Sequence, residues 1–382
     1  MSKRLVVCCD GTWNTPDQFN NGEPAPTNVT RLALAVAPQD SADRKQLTFY
    51  HQGVGTNRWE RIRGGAFGFG LSRNVCDTYR FLVQNFEPGD ELFFFGFSRG
   101  AFTARSTVGF VRNCGILRPE HVDRVDEAYA LYRNRSNRTH PRSIAAKLFR
   151  RSYSHETRIH FIGVWDTVGA LGIPLSGLRL VNFLNRRWQF HDTELSGSVD
   201  AAFQALAVDE KRVAFQPAIW TQPADADHQR LEQVWFAGVH CDVGGGYQDP
   251  ALAGISLLWM VDRARKCGLV FEADAFAAPS PGDTAPSDTY VFGDPFGQLH
   301  ESRMGLYRLL RPYVRSLGVI DPAHESVASS AAERHQQMPT YTSPGLVAYL
   351  DHAHQVTQVF DHEHEKYSVA TSGAYLPNLP AR

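Results

Sequence analysis

Gly96-Phe97-Ser98-Arg99-Gly100 is a G-x-S-x-G pentapeptide that follows the apolar run Glu91–Phe97 and precedes the helical segment Ala101–Val111. In a strand–turn–helix setting such a serine sits on a sharp turn with its hydroxyl above the carboxyl edge of a sheet. The flanking glycines let strand and helix approach without Cβ clashes. The Arg99 N–H and the start of the helix then point toward a developing oxyanion. The plain alternative is a tight turn whose serine caps the helix. A hydroxyl attacks only once a base takes its proton, so a histidine oriented by a carboxylate must follow, in the chain order Ser, Asp or Glu, His. Two apolar runs end in such groups: Phe161–Trp165 leads into Asp166, and Trp235–Val239 leads into His240. Ser98, Asp166 and His240 are the expected catalytic residues. Asp242 is the rival acid, but two residues past the histidine it better suits bracing the turn Gly244-Gly245-Gly246.

The first apolar run ends in Asp10-Gly11-Thr12-Trp13-Asn14. If this loop lies beside Ser98, an N–H of Gly11 or Thr12 supplies a second oxyanion donor, each such donor being worth about 3 kcal/mol in the transition state. Asp10 itself reads as a strand-end turn and helix cap. Asp-Gly-Thr after a first strand also suits a phosphatase-like aspartate holding a metal ion, but Cys8 stands where the second aspartate of that arrangement belongs. No cofactor and no metal are expected.

Short apolar runs alternate with segments of helical period, the pattern of a parallel sheet covered on both faces. Strands are expected at Arg4–Cys9, Leu47–His51, Glu91–Phe97, Arg158–Trp165 and Leu231–Gly238, with a helix over Leu71–Phe86 and another over Leu306–Leu317. The fold class is α/β, an α/β-hydrolase-like three-layer sandwich with a mostly parallel central sheet and helical lid or insertions. Residues 171–231 are the candidate lid, through an apolar stripe of Leu178, Leu180, Val181, Phe183, Leu184 and Trp188. A core-covering helix explains that stripe equally well. Residues 1–276 form the expected catalytic domain, 277–288 a Pro/Ser/Gly/Asp-rich linker or loop, and 289–382 a C-terminal extension without assigned chemistry.

The 382 residues are 43% hydrophobic, and 39 basic against 40 acidic side chains leave a net charge of −1, which argues against a nucleic-acid partner. Six cysteines without CxxC spacing read as reduced thiols. No signal-peptide core and no apolar run of membrane-spanning length are present, so a soluble, cytoplasmic chain is expected, with signal-less export compatible. Arg133–Arg151 carries seven basic residues and no acid. A solvated loop is the plain reading of that stretch, and transient contact with a membrane surface the functional one. The tail histidines His352, His354, His362 and His364 lack metal-site spacing and read as a solvated face.

Asp10–Asn14, Thr27-Asn28-Val29, Tyr50–Thr56 (YHQGVGT), Gly96–Arg105 (GFSRGAFTAR), Val164–Gly169 (VWDTVG) and Gly238–Tyr247 (GVHCDVGGGY) occur in one order over roughly residues 4–265. Together they resemble the DUF2235 α/β-hydrolase family, which includes type VI secretion lipase effectors. The resemblance implies a serine esterase or phospholipase with Ser98, Asp166 and His240 at the triad positions, a lipid or small-molecule ester as substrate, and a secretion-system partner. Phe203–Trp220 is also similar, as part of a supporting helix, although Gln204 stands where a histidine is expected. A catalytically silent hydrolase-fold binding module and the Asp10 metal phosphatase remain as alternatives.

Overall fold

Leu5 to Cys9 and Leu92 to Phe97 are apolar at every position, so neither run offers a face to water, and both become strands buried on two sides. In the computed structural model of the chain the described residues are 2–11, 19–20, 23–53, 66–134, 136, 139–168, 194–224, 226, 228–277, 289–352 and 354–359. Eight strands form one sheet: β1 (Arg4–Cys9), β2 (Gln46–His51), β3 (Glu91–Phe97), β4 (Ile159–Trp165), β5 (Val199–Ala207), β6 (Arg230–Phe236), β7 (Glu325–Ala328) and β8 (Val356–Thr357). Their order is β8-β7-β6-β5-β4-β3-β1-β2, and every neighbouring pair is parallel.

Side chains of β3 go alternately to two cores. Phe93, Phe95 and Phe97 pack with Val29 and Leu32 of α1 (Asn28–Ala35) and with Leu257 and Met260 of the later helix Ala251–Lys266. Leu92 and Phe94 pack on the opposite face with Tyr79 and Leu82 of α2 (Ala66–Asn85) and Ala104 and Val108 of α3 (Arg99–Cys114). Each such fully buried aromatic or leucine side chain contributes about 1.5–3 kcal/mol. Two helical layers around one sheet give the expected three-layer α/β fold.

The glycines of the pentapeptide are required by close approach. A Cβ on Gly96 would lie 2.7 Å from the Ala101 backbone, and one on Gly100 would lie 2.1 Å from Cys9 O and 2.4 Å from Asp10 O. The strand-to-helix turn at Ser98 is thus pressed directly on the end of β1. Gly100→Ala is expected to destabilise the fold by about 3 kcal/mol or more, read as a lower urea midpoint. A wild-type midpoint would show that the two backbones can separate freely.

Several expectations change. Phe203–Trp220 does not begin as a helix: Phe203 and Gln204 lie in β5, paired to β4 and β6, and Gln204 is buried with its Nε2 on Ala218 O at 3.2 Å. The slot between two parallel strands overrides the helical propensity of its alanines. Within the candidate lid 171–231, residues from 199 onward supply β5 and the start of β6 and so belong to the core; the stripe Leu178–Trp188 lies outside the described residues. The segment after 289 adds β7 and β8 to the same sheet, so the boundary expected at 276 divides one sheet between its two sides. Of the expected linker only Ala277 is described. The helix expected at Leu306–Leu317 is a single 3-10 turn, Gly305–Leu309, followed by irregular chain through Pro312, whose ring cannot continue a helix.

The basic stretch 133–151 enters α4 (Val125–Arg133) and α5 (Ile144–Tyr153). Arg150 donates to Asn113 O at 2.9 Å, which holds α5 at the C-terminal end of α3. At 1.5 Å per residue that end is about 22 Å from Ser98. All six cysteines are free thiols. No helix of the described residues is long and apolar enough to cross a membrane.

Candidate active site

The order β4-β3-β1-β2 reverses direction between β3 and β1, and open parallel sheets bind ligands at the carboxyl ends of strands flanking such a reversal. Asp10 leaves β1 there and Ser98 leaves β3. Ser98 has φ 58° and ψ −118°, a conformation that side chains other than glycine rarely adopt. Its amide donates to Trp165 O at 3.0 Å and its carbonyl accepts from Phe102 N at 3.2 Å. Its hydroxyl makes no capping bond to α3, which removes the plain reading of a capping serine. Arg99 is the first helical residue, so its N–H is among those with no partner inside the helix.

Phe97 pairs with Trp165 across β3 and β4, so Ser98 and Asp166 leave adjacent strands side by side. Asp166 also has a positive φ, 37°, and its amide donates to Ala205 O at 2.7 Å. Its Oδ2 lies 2.5 Å from Nδ1 of His240, the first residue of α6 (His240–Gly244), and both side chains are buried. A carboxylate only accepts, so Nδ1 carries the proton, which in the neutral ring leaves the Nε2 lone pair as the base. The His240 ring rests against Phe97 at 4.6 Å and meets Phe215 edge-on at 4.9 Å. Among the described residues no hydrogen bond joins Ser98 Oγ to His240.

Arg315, fully buried, grips Asp166 with both guanidinium nitrogens, Nη1 to Oδ1 at 2.5 Å and Nη2 to Oδ2 at 3.0 Å. The same nitrogens donate to Ala207 O at 2.7 Å and Phe215 O at 2.6 Å. Burial pushes the Asp166 carboxyl up, but Arg315 and His240 outweigh it and hold the group well below the usual carboxylate range. Burial also depresses His240 below an ordinary histidine, the Asp166 hydrogen bond and charge only partly opposing it. Glu210 receives the His240 amide at 3.3 Å and is itself held by Arg212, at 2.8 and 2.9 Å, and by Ser302 Oγ at 2.9 Å.

Asp242 stands apart from His240: it accepts from the Val239 amide at 3.0 Å and from His300 Nδ1 at 2.6 Å, so it braces the start of α6. Asp10 is a buried brace. It receives the hydroxyls of Thr27, Thr30 and Tyr50 at 2.6, 3.0 and 2.7 Å, and the Gly11 amide at 2.6 Å. The Gly11 N–H is therefore directed at Asp10, and Thr12 lies outside the described residues. Among the described residues no group of three His, Cys, Asp or Glu side chains could hold a metal ion. Sequence reasoning missed Arg315, Glu210 and His300, which carry no local motif.

A curated yeast relative, "Uncharacterized protein YEL023C" of Saccharomyces cerevisiae (strain ATCC 204508 / S288c), is 28% identical over 241 residues, covering 57% of this chain and 33% of that protein. An uncharacterized protein from Pseudomonas aeruginosa of known crystal structure is similar with TM-score 0.44 and 17% identity over 71% of this chain and 46% of that one. The Tle1 effector bound to the VgrG spike from the Type 6 secretion system gives TM-score 0.36 and 21% identity over 65% and 52%. The chain thus spans about a third of the yeast relative and about half of each solved chain. Residues 3–263, which carry Ser98, Asp166 and His240, match the family described as "T6SS, Phospholipase effector Tle1-like, catalytic domain", and the chain belongs to that family.

Proposed function

We propose that this chain is a serine acyl hydrolase that cleaves carboxylic esters of phospholipids through Ser98, His240 and Asp166. The observation that carries the reading is the buried Asp166–His240 pair at 2.5 Å beside a strained serine whose hydroxyl is not spent on capping. In the first half-reaction His240 Nε2 takes the Ser98 proton as Oγ adds to the ester carbonyl carbon, and the carbonyl oxygen becomes an oxyanion. The Arg99 N–H at the start of α3 stabilises that charge, and Gly11 joins it only by leaving Asp10; Thr12 is the other candidate for the second donor. Collapse expels the alcohol, which takes the proton from His240 Nε2. Water, deprotonated by the same nitrogen, then adds to the acyl-enzyme and releases the fatty acid and free Ser98. Asp166, clamped by Arg315, keeps Nδ1 protonated throughout and offsets the charge of the imidazolium.

Family membership supports a lipid ester as substrate and makes a type VI secretion component the natural kind of partner to test. A fluorophosphonate probe tests the serine directly. The wild-type chain is expected to label at Ser98, Ser98→Ala to stay unlabelled, and hydrolysis to favour long-chain aggregated phospholipid over short soluble ester. A wild type that neither labels nor turns over ester would make the chain a silent binding module.

A further inference from the structure

The strap from Ser302 to Ile320 contains four arginines and no acidic residue. It runs beside the candidate catalytic centre and is tied to it at both ends, by Ser302 on Glu210 and by Arg315 on Asp166, with Tyr313 N on Lys211 O at 2.8 Å between them. The Arg212 guanidinium lies 5.6 Å from the Tyr307 ring, which brings the middle of the strap to the same loop. A segment so anchored would ordinarily turn its apolar side chains inward. Here Met304 is 68% exposed, Leu309 83%, Leu310 40% and Val314 51%, and Val213, two residues from the Phe215 that touches His240, is 45% exposed. Arg308 and Arg311 are exposed between them. The exposure is built in, because Arg303 cross-braces the turn from inside, donating to Tyr307 O at 3.3 Å, Arg308 O at 3.1 Å and Leu310 O at 2.6 Å.

We propose that the strap 303–314, with Val213, is the surface by which this chain docks on an anionic phospholipid bilayer. The inference rests on the acyl-hydrolase reading for its purpose but not for its evidence. Protruding apolar side chains interleaved with arginines, without a carboxylate among them, match a negatively charged headgroup layer over hydrocarbon. A protein surface ordinarily interleaves charges of both signs, whereas an anionic bilayer presents one sign throughout, which is what an acid-free patch matches. Position also separates this patch from the other basic and apolar one: Ile144, Lys147, Leu148 and Arg151 are exposed on α5, at the end of α3 remote from Ser98. Docking by the strap would place the carboxyl edge of the sheet, with Ser98, against the lipid.

The test is co-flotation of the full chain with large unilamellar vesicles of phosphatidylcholine, with and without phosphatidylglycerol. Wild type is expected to bind the anionic vesicles. Arg308→Gln/Arg311→Gln should lose about thirtyfold in partitioning, two charges' worth. Leu309→Glu/Leu310→Glu should lose at least about a hundredfold, and Ile144→Glu/Leu148→Glu on α5 should bind as wild type. All three keep their thermal midpoints and their rate on a soluble short-chain ester. Absent binding by wild type, undiminished binding by both strap variants, or loss confined to the α5 variant would each overturn the proposal. So would self-association of the wild type that Leu309→Glu/Leu310→Glu abolishes without any vesicle binding, which would assign the strap to a second copy. Vesicle binding in the expected pattern with no ester turnover would instead remove the hydrolase reading and leave the surface standing.

Discussion

Ser98→Ala is expected to lower kcat on an ester by about 10^6-fold while leaving the thermal midpoint close to wild type, because a nucleophile has no substitute among residues that act as one unit. The small structural effect follows from the turn. Ser98 holds φ 58° and ψ −118° through its amide on Trp165 O and the Phe102 amide on its carbonyl, and its hydroxyl contributes no cap. Alanine keeps those backbone bonds and inherits the same strain. Glycine does not: relief of about 1–3 kcal/mol of strain exceeds its extra unfolded-state entropy of about 0.5–1 kcal/mol. Ser98→Gly should therefore be as inactive as Ser98→Ala and about 1–2 kcal/mol more stable in urea unfolding. Ester turnover by Ser98→Ala within a hundredfold of wild type would end the nucleophile assignment. A glycine variant less stable than the alanine one would end the strain argument while leaving the nucleophile untouched.

The parts of this site legible in the sequence are those where one strand ends in one polar residue. Arg4–Cys9 and Glu91–Phe97 coincide with β1 and β3 because the uninterrupted apolar runs that begin at Leu5 and Leu92 have no other way to be buried on both faces. Asp166 and His240 follow β4 and β6 for the same reason, and the two side chains meet across 74 residues of sequence. Strand β5 was illegible: Ala201, Ala202, Ala205 and Ala207 carry no strand preference, and only the narrow slot between β4 and β6 makes them one. The last two strands, Glu325–Ala328 and Val356–Thr357, are too short for any periodicity to register. Arg315 was beyond reach for a different reason. Its partner is 149 residues away, and an arginine bound to two carbonyls and a carboxylate looks in sequence like any surface arginine.

That arginine makes the acid the most sensitive structural point of the site. Asp166 falls within the family-matched residues 3–263, whereas Arg315 lies beyond them, so the clamp comes from the segment expected to be a separate extension. Asp166→Asn is expected to cost about 10^4-fold in kcat, because the amide no longer fixes the Nδ1–H tautomer of His240. It also leaves Arg315 buried beside a neutral group, and Arg315→Met leaves Asp166 buried without its cation. Each change should destabilise by about 3–5 kcal/mol at pH 7, and the double variant by less than the sum. The pH dependence has a fixed sign. Asp166 is held below its unfolded value of about 3.9, so its stabilisation is present above that pH and is lost as pH falls toward the depressed folded value; the stability gap between wild type and Arg315→Met must narrow below about pH 4. Activity moves the other way. Burial holds His240 below the ordinary histidine value of about 6.5, and Asp166, Glu210, Arg212 and Arg315 are the charges around it, so the acid limb of kcat/KM should fall below that pH. Without Arg315 the full charge of Asp166 acts on the imidazolium, His240 binds its proton more tightly, and the acid limb shifts upward. A pH profile of Arg315→Met that merely scales down, with its acid limb unmoved, would reduce Arg315 to a structural ion pair.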